Sequence, residues 1–278
     1  MPPRPRLLAH EELVLVTAGH GSHEIDFVPY PCRPGTLLRA RAGQVTRSGG
    51  QAGLDAIVVR WTVDGPAEPS AADRPAYWQL VGEDADALIN EVSQLVVDSD
   101  RPRRSSVVDD LLRHQLQVIL LRVALLTDEN PQVDPVGDAS VRGDTFRRFQ
   151  VEVERDHART RRVEEYAERL CCAVRTLTRA SLSVTGRTAK QVIDDRVTLQ
   201  AKRLLAATDL PVAEIGQRLG FGEPTNFGRF FQREAGCSPG TFRATVGEHP
   251  PVAELVATTG MMGACRSPRA ATMRYGQH

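Results

Sequence analysis

Asn226 and Arg229 lie three residues apart in the run Pro224-Thr-Asn-Phe-Gly-Arg-Phe-Phe-Gln-Arg-Glu234, in which Phe227, Phe230 and Phe231 recur at i, i+3 and i+4. On a helix this spacing sends the three rings inward and leaves Pro224, Thr225, Asn226 and Arg229 outward near the N-terminal end. An asparagine amide pairs bidentately with adenine, and an arginine guanidinium with guanine. A threonine can hydrogen-bond a base or touch a thymine methyl. Fifty residues earlier, Arg175, Thr176 and Arg179 occupy the matching places in a second run. The chemistry is that of side chains reading base edges from a major groove.

Other clusters are weaker. A metal site of the small-barrel kind wants two histidines one residue apart on a strand, a carboxylate and a distant histidine. His20 and His23-Glu24 flank a turn with no further histidine in the N-terminal strands, and both are read as surface residues. Cys171 and Cys172 are adjacent, which suits neither chelation nor an unstrained disulfide. No glycine-rich phosphate loop and no Gly-x-Ser-x-Gly elbow occurs, so no catalytic residue, metal or cofactor is expected. Trp61, Tyr77 and Trp78, with Arg39 and Arg60, offer a cavity lining, but core packing is the preferred reading.

The elements that must position the base-reading side chains form an internal repeat. Val163-Glu-Glu-Tyr-Ala-Glu-Arg-Leu170 matches Val212-Ala-Glu-Ile-Gly-Gln-Arg-Leu219 at an offset of 49 residues. At an offset of 50, Leu177 then aligns with Phe227, Arg179 with Arg229 and Gly186 with Gly236. Each copy reads as a short helix, a tight turn, a longer helix and a glycine stop. In the second copy Val212, Ile215 and Leu219 make the inner face and Gly220 suits the left-handed turn. This is the helix-turn-helix pattern, which presents its second helix to a major groove.

Residues 144–246 resemble the DNA-binding domain of the AraC/XylS family of transcriptional regulators. The resemblance is carried by Ala206–Gly222, by Asn226-Phe-Gly-Arg-Phe-Phe-Gln-Arg233 and by Gly236-Cys-Ser-Pro-Gly-Thr-Phe-Arg243. It implies seven helices in two helix-turn-helix units, joined by a central helix at about Thr188–Ala207 with Ile193, Val197, Ala201, Leu204 and Leu205 inward. The first unit departs from the family pattern. Cys171 stands where glycine is usual, Ala180 and Ser181 where large apolar residues are usual, and Arg162 (like Pro211 in the second unit) where a Ser or Thr cap is common. A looser core is expected there. Whether that unit reads bases or grips phosphates is left open.

Upstream, short β-branched runs separated by Gly19–Gly21, Pro34-Gly35 and Ala42-Gly43 suggest a small barrel or sandwich. Ile25–Tyr30, Thr36–Arg41 and Asp55–Val63 read as extended, and Asp64–Pro75 as a loop. Residues 8–63 resemble the cupin-like effector domain found in many members of the same family. Two helices follow, at about 84–97 and Ser106–Leu126, with Asp98–Arg104 a polar linker. In the second helix Leu112, Leu116, Ile119, Val123 and Leu126 follow a/d spacing, and Leu111, Val118 and Leu125 form a second stripe. Either the whole helix packs on its own barrel, or one stripe does so and the other meets a partner subunit; on the second reading Leu112, Leu116, Ile119 and Val123 are expected to join two subunits.

The fold class is therefore α+β: a cupin-like small β-barrel with two helices at residues 8–127, a linker at 128–143, an all-α domain at 144–246 and a disordered tail at 247–278. The formal net charge is zero. It splits into 13 basic and 20 acidic residues over 1–141, against 19 and 13 over 142–246. A basic second half suits a polyanion. Five cysteines, an odd number, make no disulfide framework, and no apolar run approaches the roughly 18 residues of a membrane helix. The chain reads as cytoplasmic, with promoter DNA as partner, a homodimeric state, and an unidentified small effector and RNA polymerase as further candidates. The rival readings are a cupin-type enzyme with an appended DNA-binding domain and a repair protein with a methyl-accepting cysteine. The first wants a histidine cluster and the second a thiolate zinc site.

Overall fold

A computed structural model describes residues 4–49, 54–62, 76–101, 105–128, 138–248 and 271–273. The N-terminal unit contains β1 (Arg6–Leu7), β2 (Glu11–Ala18), β3 (Gly21–Ile25), β4 (Val28–Cys32), β5 (Thr36–Ala40), β6 (Val45–Gly49), β7 (Asp55–Trp61) and β8 (Tyr77–Gln79). Helices α1 (Gly82–Ser99) and α2 (Ser106–Asp128) follow. One sheet has the order β1-β6-β3-β4. The other has the order β8-β5-β2-β7-β9, with β9 (Ala271–Met273) parallel to β7 and every other pairing antiparallel. The described N-terminal strands thus form two separate sheets.

Strand periodicity places the five-stranded sheet between two cores. Leu13 and Leu15 of β2, Leu37 of β5 and Val59 and Trp61 of β7 pack with Leu88, Val92 and Leu95 of α1 and with α2. Their sequence neighbours Val14, Val16, Leu38 and Val58 point the other way, into a core shared with Leu8 and with Ile25 and Cys32 of the first sheet. Six consecutive residues of β2, Glu11–Val16, are therefore buried.

Several local expectations are corrected. Ile25–Tyr30 is not one extended run: Asp26 and Phe27 have φ of 49° and 69° and make the two-residue turn of the β3–β4 hairpin. The primed hairpin turn needs two left-handed residues. Asp26 meets that demand without glycine because its carboxylate accepts from Val45 N at 3.0 Å and from Gln44 Nε2 at 2.6 Å. The expected polar linker begins later than Asp98, which is buried at the end of α1 and accepts hydrogen bonds from Gln94, Arg101 and Gln115. Those bonds hold its carboxyl down to about 2. The interdomain linker is shortened too, since α2 runs to Asp128 and α3 (Asp138–Asp156) starts inside it. The expected loop at Asp64–Pro75 lies outside the described residues, as does the 247–278 tail apart from residues 247, 248 and β9.

His23 also departs from its expected surface place. It is buried on β3 between the sheets, and its Nε2 has no hydrogen-bond partner. Burial pushes the imidazole down to about 4, with Glu12 opposing and Arg6 assisting. Glu12, 1% exposed, accepts from Arg6 at 2.8 Å and Arg60 at 2.7 Å. The aromatic group falls on both faces of the sheet. Trp61 and Trp78 join the helix-side core, with Arg39 5.8 Å from the Trp61 ring, while Tyr77 stacks on Tyr30 between the sheets at 5.7 Å.

The expected dimer face meets the largest correction. Leu112, Leu116, Ile119 and Val123 are at most 4% exposed and pack against α1 and the sheet of their own subunit. A residue with no free surface has none to offer a partner. The exposed apolar residues of α2 are instead Val107, Leu111, Val118, Leu121 and Leu125.

The C-terminal unit is all helical: α3, α4 (Val163–Arg169), α5 (Val174–Thr185), α6 (Ala189–Ala207), α7 (Val212–Arg218), α8 (Pro224–Ala235) and α9 (Pro239–Glu248). Its core gathers Phe146, Phe149 and Val153 of α3 with Tyr166, Leu177, Ile215, Phe227 and Phe231 around the α6 stripe Ile193, Val197, Ala201, Leu204 and Leu205. Thr188 starts α6 with a reciprocal capping box to Gln191.

Candidate nucleic-acid interface

The repeat in the sequence becomes two structurally matched pairs. α4 and α7 have seven residues each, α5 and α8 twelve each, and the longer helices both end on a left-handed glycine, Gly186 and Gly236. The turns match as well. Gly220 has φ 75°, and its counterpart Cys171 is held at φ 51°. A side chain in that region costs about 1–2 kcal/mol, which is why glycine suits the second turn.

Within each pair the short and long helices approach closely. A Cβ on Gly216 would lie 3.0 Å from Phe227 Cβ, so glycine in α7 makes room for the aromatic ring of α8. The first unit solves the same contact with Ala167 and the smaller Leu177, both buried. Phe221 follows the second turn and packs edge-on to Phe227 at 5.3 Å. Its counterpart Cys172 is half-buried against the core, where desolvation raises its thiol pKa. Ala180 and Ser181 are both buried, and the Ser181 hydroxyl donates to Leu177 O at 2.9 Å, so its polar atom is satisfied inside the helix pair.

These packings decide what points outward. Leu177, Ala180 and Ser181 bury one face of α5, leaving Arg175, Thr176 and Arg179 exposed. Phe227, Phe230 and Phe231 bury one face of α8, leaving Pro224, Thr225, Asn226 and Arg229 exposed. Pro224 occupies the first turn of α8, where a missing N–H costs nothing.

Neighbouring basic residues are engaged within the fold. Arg196 meets Glu154 at 2.8 Å, Arg187 meets Asp195 at 2.6 Å, Arg218 meets Glu214 at 2.8 Å, and Arg243 donates to the carbonyls of Leu205 and Leu210. Arg175, Arg179 and Arg229 enter none of the ion pairs or hydrogen bonds among the described residues. Their donors are free for an external acceptor. Two contacts that no spacing in the sequence signals join the α3–α4 segment to the second pair: Arg161 stacked on Phe221 and the loop carbonyl of Ala158 against Gly220. No periodicity marks them, because they lie in a turn and a loop.

A family model described as a helix-turn-helix domain matches residues 166–245. The transcriptional activator RhaR of Enterobacter sp. (strain 638) is 26% identical over 250 residues, covering 84% of each chain. The activator RhaS of Yersinia pestis is 25% identical over 170 residues, 61% of this chain and 59% of its own length. These matches support the resemblance to the AraC/XylS family that the sequence carries. The chain is a DNA-binding regulator of transcription. Among solved structures, the DNA-binding domain of AdpA in complex with a target DNA is 33% identical, covering 36% of this chain and 90% of that one with a TM-score of 0.33. ToxT from Vibrio cholerae O395 is 12% identical over 88% of this chain and 93% of its own, with a TM-score of 0.45. Among the described residues of this regulator, no helix is long and apolar enough to cross a membrane, and no group of three or more His, Cys, Asp or Glu could hold a metal ion.

Proposed function

We propose that one molecule of this regulator reads two short boxes on one face of double-stranded DNA, with α8 in one major groove and α5 in the next. The supporting observation is that α5 and α8, equal in length, carry exposed Arg175, Arg179, Asn226 and Arg229 with no internal partners. Successive major grooves on one face recur at about 34 Å, one turn of roughly 10.5 base pairs. Residues 144–246 form the DNA-binding domain. Residues 8–127 sense a small effector and hold two copies together, and the chain works in the cytoplasm without a catalytic site of its own. Its named relatives being activators, the regulation is activation, exerted through RNA polymerase. The effector reading is supported by the buried, unpartnered His23 Nε2 beside the charged Glu12–Arg60 pair between the sheets.

The experiment is binding of the full chain to a library of operator variants at two salt concentrations. Arg229→Ala and Asn226→Ala are expected to cost about 1–3 kcal/mol each and relax preference within one box. Arg175→Ala and Arg179→Ala are expected to act on the other box. An even loss across sequences with a shallower salt slope assigns them to phosphates instead. Arg229→Ala leaving both affinity and preference unchanged would refute the orientation given to α8.

A further inference from the structure

Two helix-turn-helix units joined through α6 alone would each be free to rock about its end of that helix, because long helices bend gently at little cost. The C-terminal unit has a second connection. The α3–α4 segment, residues 157–162, leads into the first unit and crosses the turn of the second. A Cβ on Gly220 would lie 2.6 Å from Ala158 O and 3.8 Å from Arg159 O, so the two backbones touch where only glycine fits. The Arg161 guanidinium carbon lies 3.5 Å from the centroid of the Phe221 ring and 5.9 Å from that of Phe230.

Phe221 is itself wedged in the second unit, 5.3 Å from Phe227 and 5.1 Å from Phe230. Asp194 of α6, 6% exposed, is held by Lys190 at 2.5 Å and approached by Arg233 of α8 at 3.9 Å. Arg233 lies 5.4 Å from the Phe230 ring, on which Arg161 also borders. Arg161 immediately precedes the α4 cap position at Arg162. A shift of this one guanidinium therefore moves the entry of the first unit relative to the wedge of the second. A planar guanidinium stacked on an aromatic face resists sliding and tilting in a way that a flexible ammonium does not.

We infer that the Arg161–Phe221 stack, seated by the Ala158–Gly220 backbone contact, is a brace that fixes the rotation between the two recognition helices and so sets the number of base pairs the protein accepts between its boxes. The inference rests on the two-box reading above and makes Arg161 a positioning residue. Each inserted base pair rotates one box by about 34° relative to the other and shifts it by about 3.4 Å, since one turn takes roughly 10.5 base pairs. A rigidly braced protein must twist the DNA to recover the phase, whereas an unbraced one can turn its own units instead.

The test starts from duplexes selected from a random pool by the wild-type full chain, then rebuilt with the spacing between boxes changed by one or two base pairs either way. Wild type is expected to lose about tenfold or more in affinity at each changed spacing, the cost falling on DNA twist. Arg161→Ala, Arg161→Lys and Phe221→Leu are each expected to bind the selected spacing and to flatten the profile to within about threefold, because the planar stack is gone. Three substitutions guard against any one of them unfolding the domain, and thermal melting identifies the folded ones. An unchanged profile in the folded variants overturns the brace. So does a wild-type charge effect: Arg161→Lys matching wild type at every spacing, while Arg161→Ala weakens all spacings evenly and lowers the salt slope, would make Arg161 a phosphate contact. Selected duplexes holding a single box would overturn the two-box reading, and the brace with it.

Discussion

At the residue scale, Cys171 and Gly220 pose one backbone problem with two answers. Both sit in the left-handed region after the first helix of their units. A cysteine there carries strain of about 1–2 kcal/mol, and replacing it with glycine gives back part of that through the freer unfolded chain. Cys171→Gly is expected to raise the stability of the C-terminal unit by about 0.5–1 kcal/mol in denaturant titration. Gly220→Ala runs the other way: its Cβ meets Ala158 O at 2.6 Å as well as the left-handed penalty, so a clear loss of melting temperature is expected.

His23 makes the residue-scale prediction for pH. Its folded pKa of about 4 lies below the usual 6.5, so the folded state holds the imidazole neutral where the unfolded chain protonates it. The stability this represents is present above pH 6.5 and is lost as the pH falls from 6.5 toward 4. Between pH 7 and pH 5 the N-terminal unit is expected to lose about 2 kcal/mol through this group. His23→Gln should remove that part of the pH dependence, measured by urea unfolding at both pH values. An identical slope in the variant would show that His23 is not the titrating group.

At the element scale, α2 carries two apolar stripes with different fates. The stripe Leu112, Leu116, Ile119, Val123 is buried in its own subunit. Val107, Leu111, His114, Val118, Leu121 and Leu125 are exposed and follow intervals of four and three residues without a break. That is the spacing a coiled-coil seam requires, with histidine at one place. Two antiparallel copies centred on residue 116 would set Val107 against Leu125 of the partner subunit, Leu111 against Leu121 of the partner subunit and His114 against Val118 of the partner subunit. The acidic end, Asp109 and Asp110, would come beside Arg122 of the partner subunit. A self-complementary face is what a two-fold dimer requires. Val118→Glu with Leu121→Glu is expected to yield a folded monomer in sedimentation, while Leu116→Glu, which buries a charge, should unfold the N-terminal unit. A wild type already monomeric at micromolar concentration would refute the seam.

At the scale of the molecule, the chain divides into an N-terminal and a C-terminal unit, each with cores drawn from its own elements. The basic excess lies in the second. Residues 138–250 expressed alone are therefore expected to fold cooperatively and to bind a single two-box site with the preference of the full chain. If two copies are linked through the N-terminal unit, as proposed, the truncated form should lose the tighter binding to paired sites, by a factor read directly in titrations of one-site and two-site DNA. A truncated unit that fails to melt cooperatively would show that its core depends on the rest of the chain.

The helix-turn-helix repeat and the outward side chains of α8 were legible in the sequence because a helix reports its buried face through local spacing, and three phenylalanines at i, i+3 and i+4 leave no doubt about direction. The strands of the N-terminal unit were legible as a rhythm of turns, for the same local reason. What no spacing could decide was which of two apolar stripes on α2 faces its own sheet, since both obey helical periodicity and only the position of α1 and the sheet chooses between them. His23 could not be assigned either, because its burial depends on the second sheet closing over β3, a contact between residues far apart in the chain. Nor could the meeting of Arg161 with Phe221, sixty residues on, which exists only once the C-terminal unit has packed around α6. Local periodicity determines which face of an element is apolar; long-range packing alone determines what that face, or an unpatterned loop, finally touches.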